Sequence, residues 1–176
     1  LSQNFAKFLG YFTTEGHSYF QQKNSYAEIG ITNTDQNINK NVYSLMNSLF
    51  KTHINTKISL PEKRKNAKLD LTTTRCCSIP LYKYFQENFK ELMQKAPTKR
   101  IPNCIKKAPS TIKTAFLQTA YEGDGFVDSE RFGYCTSSFS LAKDFQDLLL
   151  QFEIYSYFQT RKRRDRMTTD AYKVVI

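Results

Sequence analysis

The stretch Ala6-Lys7-Phe8-Leu9-Gly10-Tyr11-Phe12-Thr13-Thr14-Glu15-Gly16 has a weak second copy, Ala115-Phe116-Leu117-Gln118-Thr119-Ala120-Tyr121-Glu122-Gly123-Asp124-Gly125. Both copies are apolar, carry small residues four apart, and end in an acid followed by glycine. The pattern predicts two helices closed by Gly16 and Gly125 in the left-handed cap conformation. Glu15 and Asp124 then stand at helix C-termini, where the macrodipole disfavours negative charge and a bound cation would offset the cost. Gly10, Thr14, Thr119 and Gly123 fall on one face of their helices and would let the two pack closely. Side by side, the helices would bring Glu15 and Asp124 together as a pair of hard oxygen ligands of the kind Mg²⁺ prefers.

The duplication extends downstream. Ile38, Val42, Leu45, Met46 and Leu49 form one helical stripe, and Leu141, Phe145, Leu148, Leu149 and Phe152 repeat its spacing. Capping-type residues precede each, Thr34-Asp35 and Ser137-Ser138-Phe139-Ser140. Strand-like runs lie around Ser18–Phe20, Tyr26–Ile31, Asn55–Leu60 and Ala67–Leu71, and again around Gly125–Val127, Arg131–Cys135, Ile154–Thr160 and Tyr172–Ile176. A further helix is predicted from Ile79 to Met93. The order is αββαββα followed by αββαββ, an α+β fold of two pseudo-twofold units with two antiparallel sheets. The expected organisation is an N-terminal repeat at 1–96, a proline-punctuated connector at 97–109, and a C-terminal repeat at 110–176 that lacks its closing helix.

The chain has 176 residues and a net charge of +10, with 40% hydrophobic residues, so it has material for a packed interior and suits a polyanionic partner. No apolar run is long enough to span a membrane, and the first residues lack the plan of a signal peptide. The absence of an initiator Met points to a piece of a longer chain. Cys76, Cys77, Cys104 and Cys135 show no CxxC spacing and read as reduced thiols of an intracellular protein. His17 and His53 stand at no zinc-ligand spacing from them. Basic clusters, Lys63-Arg64-Lys65 with Lys68 and Arg161-Lys162-Arg163-Arg164 with Arg166, suit phosphate contacts. Strand alternation offers Tyr19, Gln21, Gln22, Glu28, Thr32 and Asn33 as readers of base edges.

The paired helices, together with Arg100-Ile101-Pro102 before Ala115-Phe116-Leu117 and Ser140-Leu141-Ala142 before Leu148-Leu149-Leu150, resemble the LAGLIDADG homing endonucleases, in particular members borne by inteins. The resemblance implies a monomeric enzyme that cuts both strands of double-stranded DNA at a long target. It places Glu15 and Asp124 on the metal-binding position of each motif, with the backbone of Gly16 and Gly125 beside them. It also implies two or three Mg²⁺ ions, replaceable by Mn²⁺ or Ca²⁺. By the same resemblance the sheets form a saddle on DNA, to which Arg131, Thr136, Ser137 and Lys173 would contribute. Thr13, Thr14 and Thr119 depart from the usual motif. The family's auxiliary lysine has no counterpart at Asn33-Thr34 or Thr136-Ser137, which leaves Lys68 and Lys173 as substitutes. Binding DNA without cutting it, or maturing intron RNA, are the alternatives on the same scaffold. Survival of both acids favours cutting.

Overall fold

A computed structural model of the chain describes residues 1–60, 68–128, 130–162 and 170–176. Helix α1 spans Gln3–Glu15 and runs straight into strand β1, Gly16–Gln21. Strand β2 (Tyr26–Asn33), helix α2 (Gln36–Leu49), strands β3 (Ile54–Ser59) and β4 (Leu71–Cys77) and helix α3 (Ile79–Asn88) complete the first unit. A short helix α4, Asn103–Lys106, lies in the connection. The second unit then repeats the order with α5 (Ser110–Asp124), β5 (Gly125–Val127), β6 (Phe132–Thr136), α6 (Phe139–Leu150), β7 (Tyr157–Arg161) and β8 (Ala171–Val175).

Each unit forms a four-stranded antiparallel sheet of the same topology, β1-β2-β4-β3 and β5-β6-β8-β7. Side chains alternate across each sheet. In the first, Ile29, Ile31, Thr74 and Cys76 point into the core, while His17, Glu28, Thr73 and Arg75 share the outer face. The helices begin where side-chain caps stop the strands. Asp35 accepts from the backbone of Asn37 and Ile38 at α2, and Ser138 accepts from Leu141 N at α6. Helices α1 and α5 pack against each other at the centre of the molecule.

Two differences from the sequence reading concern strands and caps. The fourth strand is Leu71–Cys77, not Ala67–Leu71. The β-branched run Thr72-Thr73-Thr74 and the buried Cys76 carry the pairing with β2. Gly16 and Gly125 are not left-handed caps: both are extended, at φ −77° and −70°. Glycine is needed there for space, because a Cβ would overlap the Phe12 carbonyl at Gly16 and the Tyr121 carbonyl at Gly125. This is how each helix turns directly into a strand. Helix α3 also ends at Asn88, short of Met93. Its core residue Phe85 meets the rings of Phe5, Phe8, Phe12 and Phe50.

Candidate active site

The contact between α1 and α5 is as close as backbones allow. A Cβ on Gly10 would overlap Thr119 Oγ1 and the Phe116 carbonyl, and one on Gly123 would overlap Thr14 Oγ1. Thr119 Oγ1 donates across the helix pair to the Lys7 carbonyl at 2.8 Å. The Tyr11 hydroxyl donates to Glu122, a second tie between the helices. The acids that end the two helices are near enough for the charge of Asp124 to act on Glu15.

The surroundings of the two acids differ from ordinary helix ends. Burial pushes the Glu15 carboxyl up to about 7, and the charge of Asp124 adds to the rise against the pull of Lys99. Burial likewise raises Asp124 to about 6, against the pull of Lys99 and the Tyr134 hydroxyl. Asn33 Nδ2 donates to Glu15 Oε1 at 3.2 Å and orients it. Tyr134 is fully buried, stacked on Phe145 at 3.8 Å between centroids. A cleft of about 560 Å³ opens beside Asp124, lined by Thr13, Lys99, Gly125, Phe126 and Thr136 among others.

Lys99 is a residue beside the two acids that the sequence reading missed. It is 4% exposed, and its Nζ donates to the carbonyls of Phe12 (3.1 Å), Thr13 (3.1 Å) and Gly16 (2.8 Å) at the end of α1. Burial lowers its pKa to about 8, while Asp124 and Glu15 pull the other way. It stands in the connector among other lysines, and its local sequence carries no periodicity that would mark it. Only the Arg100-Ile101-Pro102 stretch that follows it hints at a site. Lys68 is exposed and lines a hollow with Thr34 and Lys40, not the cleft beside Asp124. Lys173 lies over the Phe126 ring at 4.4 Å.

The other predicted residues divide into groups. Tyr19, Gln21 and Glu28 lie on the outer face of the first sheet with Thr32, which bonds Thr73 at 3.0 Å. Glu28 is held inside that face by Arg75 at 3.0 Å, by the Tyr26 hydroxyl and by His17 at 3.8 Å. Asn33 is committed to Glu15 and not to the outer face. Gln22 sits in a short 3₁₀ turn beyond β1. Thr136 is buried, with Oγ1 accepting from Ser138 N, and Ser137 lines the cleft. Arg131 pairs with Asp128 at 3.1 Å. Arg161 and Lys162 are exposed at the end of β7. The Gly16 carbonyl is taken by Lys99. Lys63, Arg64, Lys65, Arg163, Arg164 and Arg166 lie outside the described residues.

The donor set fits a divalent cation. Two carboxylates supply hard oxygens, and the described residues contain no cluster of three or more His, Cys, Asp or Glu that could hold a metal by itself. Mg²⁺ tolerates such a sparse set, since it keeps waters and takes up substrate phosphate oxygens.

Comparisons with known proteins agree with the fold. Residues 111–176 match the family described as LAGLIDADG-like domain. A DNA gyrase subunit from Mycolicibacterium flavescens is 36% identical over 88 residues, covering 47% of this chain and 15% of that protein. Glutamine–fructose-6-phosphate aminotransferase of Methanocaldococcus jannaschii is 25% identical over 139 residues, covering 78% of this chain and 12% of that protein. The chain therefore spans only a small part of these relatives. The homing endonuclease I-DmoI in complex with DNA and Mn shares the fold at a TM-score of 0.67 and 16% identity, over 98% of this chain and 89% of that one. Full-length DUF199/WhiA from Thermatoga maritima matches at a TM-score of 0.60 and 10% identity, over 98% and 50%.

Proposed function

From the premise that this is a LAGLIDADG protein, we propose that the chain hydrolyses both strands of double-stranded DNA at a long specific target with divalent metal ions. The observation that carries this reading is the meeting of two half-buried acids, one from each copy of the duplicated helix, beside a buried lysine and an open cleft.

Glu15 and Asp124 would hold a divalent cation, which would supply Lewis acidity and a water acidic enough to act as nucleophile near neutral pH. The chain's own residues set the stage for it. Asn33 fixes one Glu15 oxygen and leaves the other for coordination. Lys99 puts fixed positive charge next to both acids and holds the last carbonyls of α1 in place. No histidine is needed as a general base. His17 is turned to Glu28 on the outer face, and burial lowers its pKa. The outer faces of the two sheets, with Tyr19, Gln21, Thr32 and Lys173 upon them, are the surfaces for base reading. Arg131, Arg161 and Lys162 at strand ends serve phosphate contacts, as do the clusters around Lys63–Lys65 and Arg163–Arg166.

The two curated relatives support a mobile origin. A gyrase and an aminotransferase share no activity by name, yet both match this chain over a small part of their length. A segment inserted into each host, as an intein is, accounts for that pattern.

The test is cleavage of a randomised plasmid library with Mg²⁺. Recovery of one long target cut on both strands supports the reading. Tight, selective duplex binding with no cleavage in Mg²⁺ or Mn²⁺ replaces it with binding alone.

A further inference from the structure

The connector that carries Lys99 is clamped to the second unit chiefly through a buried side chain, Asp144 of α6. Asp144 is 2% exposed and collects four hydrogen bonds. Arg100 donates twice, from Nε at 3.2 Å and Nη2 at 2.9 Å. The Ile101 backbone N–H donates at 3.0 Å, and Lys106 Nζ at 2.9 Å. These partners hold the carboxyl below its ordinary range despite its burial. Directly beside the clamp, Ser138 Oγ donates to the Lys99 carbonyl at 2.8 Å while capping α6. The Lys99 backbone is thus fixed to the second unit. Its ammonium, at the far end of a four-carbon stem, grips the end of α1 in the first unit.

We infer that Asp144 is a positioning residue: by fixing the chain at Arg100 and Ile101 it sets where the Lys99 ammonium stands beside the two acids. The role rests on the nuclease reading above, and it adds a residue whose hydrogen-bond partners are all in the connector. A long flexible side chain reaching three carbonyls needs a fixed root, because a small displacement of a charged group at a reaction centre costs large factors in rate. A carboxylate with four donors supplies that root. An ordinary surface ion pair would not, since such pairs contribute little. Asp144 is buried, and three of its four bonds come from Arg100 and Ile101, the residues that immediately follow Lys99.

The experiment compares wild type with Asp144→Asn and with Arg100→Gln, the latter removing an arginine whose side chain is half exposed and leaving Asp144 its Ile101 and Lys106 bonds. Single-turnover cleavage in Mg²⁺ and duplex affinity in Ca²⁺ are measured on the full chain, with the NMR correlation of the Lys99 NH₃⁺ group, assigned through Lys99→Arg, as a third readout. The expected result is a ~10- to 100-fold loss of cleavage rate for Asp144→Asn and a smaller loss for Arg100→Gln, with duplex affinity changed less than about twofold. The Lys99 signal, slowed in exchange by its three carbonyls in wild type, should broaden or vanish in both variants. An unchanged Lys99 signal in a folded variant overturns the inference, as does a loss of affinity equal to the loss of rate. Should Asp144→Asn fail to fold, Arg100→Gln decides by the same readouts. Should wild type bind DNA without cutting, the nuclease reading fails while the Lys99 signal still decides the clamp.

Discussion

The two units share a frame and differ in what surrounds each acid. On the first, the strand residue Asn33 donates to Glu15, and the outer face beside it carries the polar set His17, Glu28 and Arg75. On the second, the corresponding strand presents the buried Tyr134 to Asp124, and the facing positions are Phe126, Gly133 and Val175. Glycine recurs at the same place in both strands, Gly30 under the His17 ring and Gly133 under the Phe126 ring. The duplication has kept the geometry that brings two carboxylates together and has let the groups that tune and flank them diverge. The floor beside the acid is polar in the first unit, and in the second it is the Phe126 ring overlain by Lys173.

The largest expected effects lie where the units are alike. Glu15→Gln or Asp124→Asn should each remove double-strand cleavage by about 10³-fold or more, the loss of several kcal/mol of charge stabilisation, while duplex binding persists. Wild-type cleavage by either variant in a plasmid assay would contradict the pairing. Lys99→Met should lower the cleavage rate by ~10²-fold, read in single turnover.

Stability should follow pH in a manner set by the same three groups. The folded acids hold protons at pH values where the unfolded chain has lost them, so metal-free stability falls as pH rises from the ordinary carboxylate range through about 6 and 7. Lys99 does the reverse: above about 8 the folded chain has lost a proton that the unfolded chain keeps, so stability recovers with pH there. Thermal denaturation of Glu15→Gln/Asp124→Asn should show a flatter profile below neutrality and a melting temperature some ~2–4 °C above wild type near neutral pH. A profile parallel to wild type would mean that the acids are not desolvated.

Smaller effects sharpen the comparison of the helices themselves. Gly10→Ala meets backbone as well as side chain, whereas Gly123→Ala meets only Thr14. Each should cost about 1–3 kcal/mol in chemical denaturation, Gly10→Ala the more. Smallest is His17→Phe, which gives the first unit the ring of the second and should change stability by no more than ~0.5 kcal/mol. A large loss there would show that the polar floor holds the sheet together.

Much of this is legible in the sequence because it is written in repeated local patterns. The opening helices, the amphipathic stripes of α2 and α6 and their caps at Asp35 and Ser138 all carry periodic or positional signals. The fourth strand is easily misplaced because Leu69-Asp70-Leu71 alternates, while Thr72-Thr73-Thr74 reads as polar until its partner β2 is known. The glycines read as left-handed caps because sequence marks the residue type and not the crowding by the Phe12 and Tyr121 carbonyls. Lys99 and Asp144 are invisible for a deeper reason. A buried charge looks like any surface lysine or aspartate until the segments that enclose it are assembled, here 44 and 38 residues apart along the chain for the Arg100 and Lys106 bonds.

Calorimetric titration of Mn²⁺ into the wild type and into the single variants Glu15→Gln and Asp124→Asn tests the shared site most directly. Binding in wild type that is lost in each variant is the result expected of a cation held by both carboxylates. Undiminished binding in either one would show that the two acids do not act together.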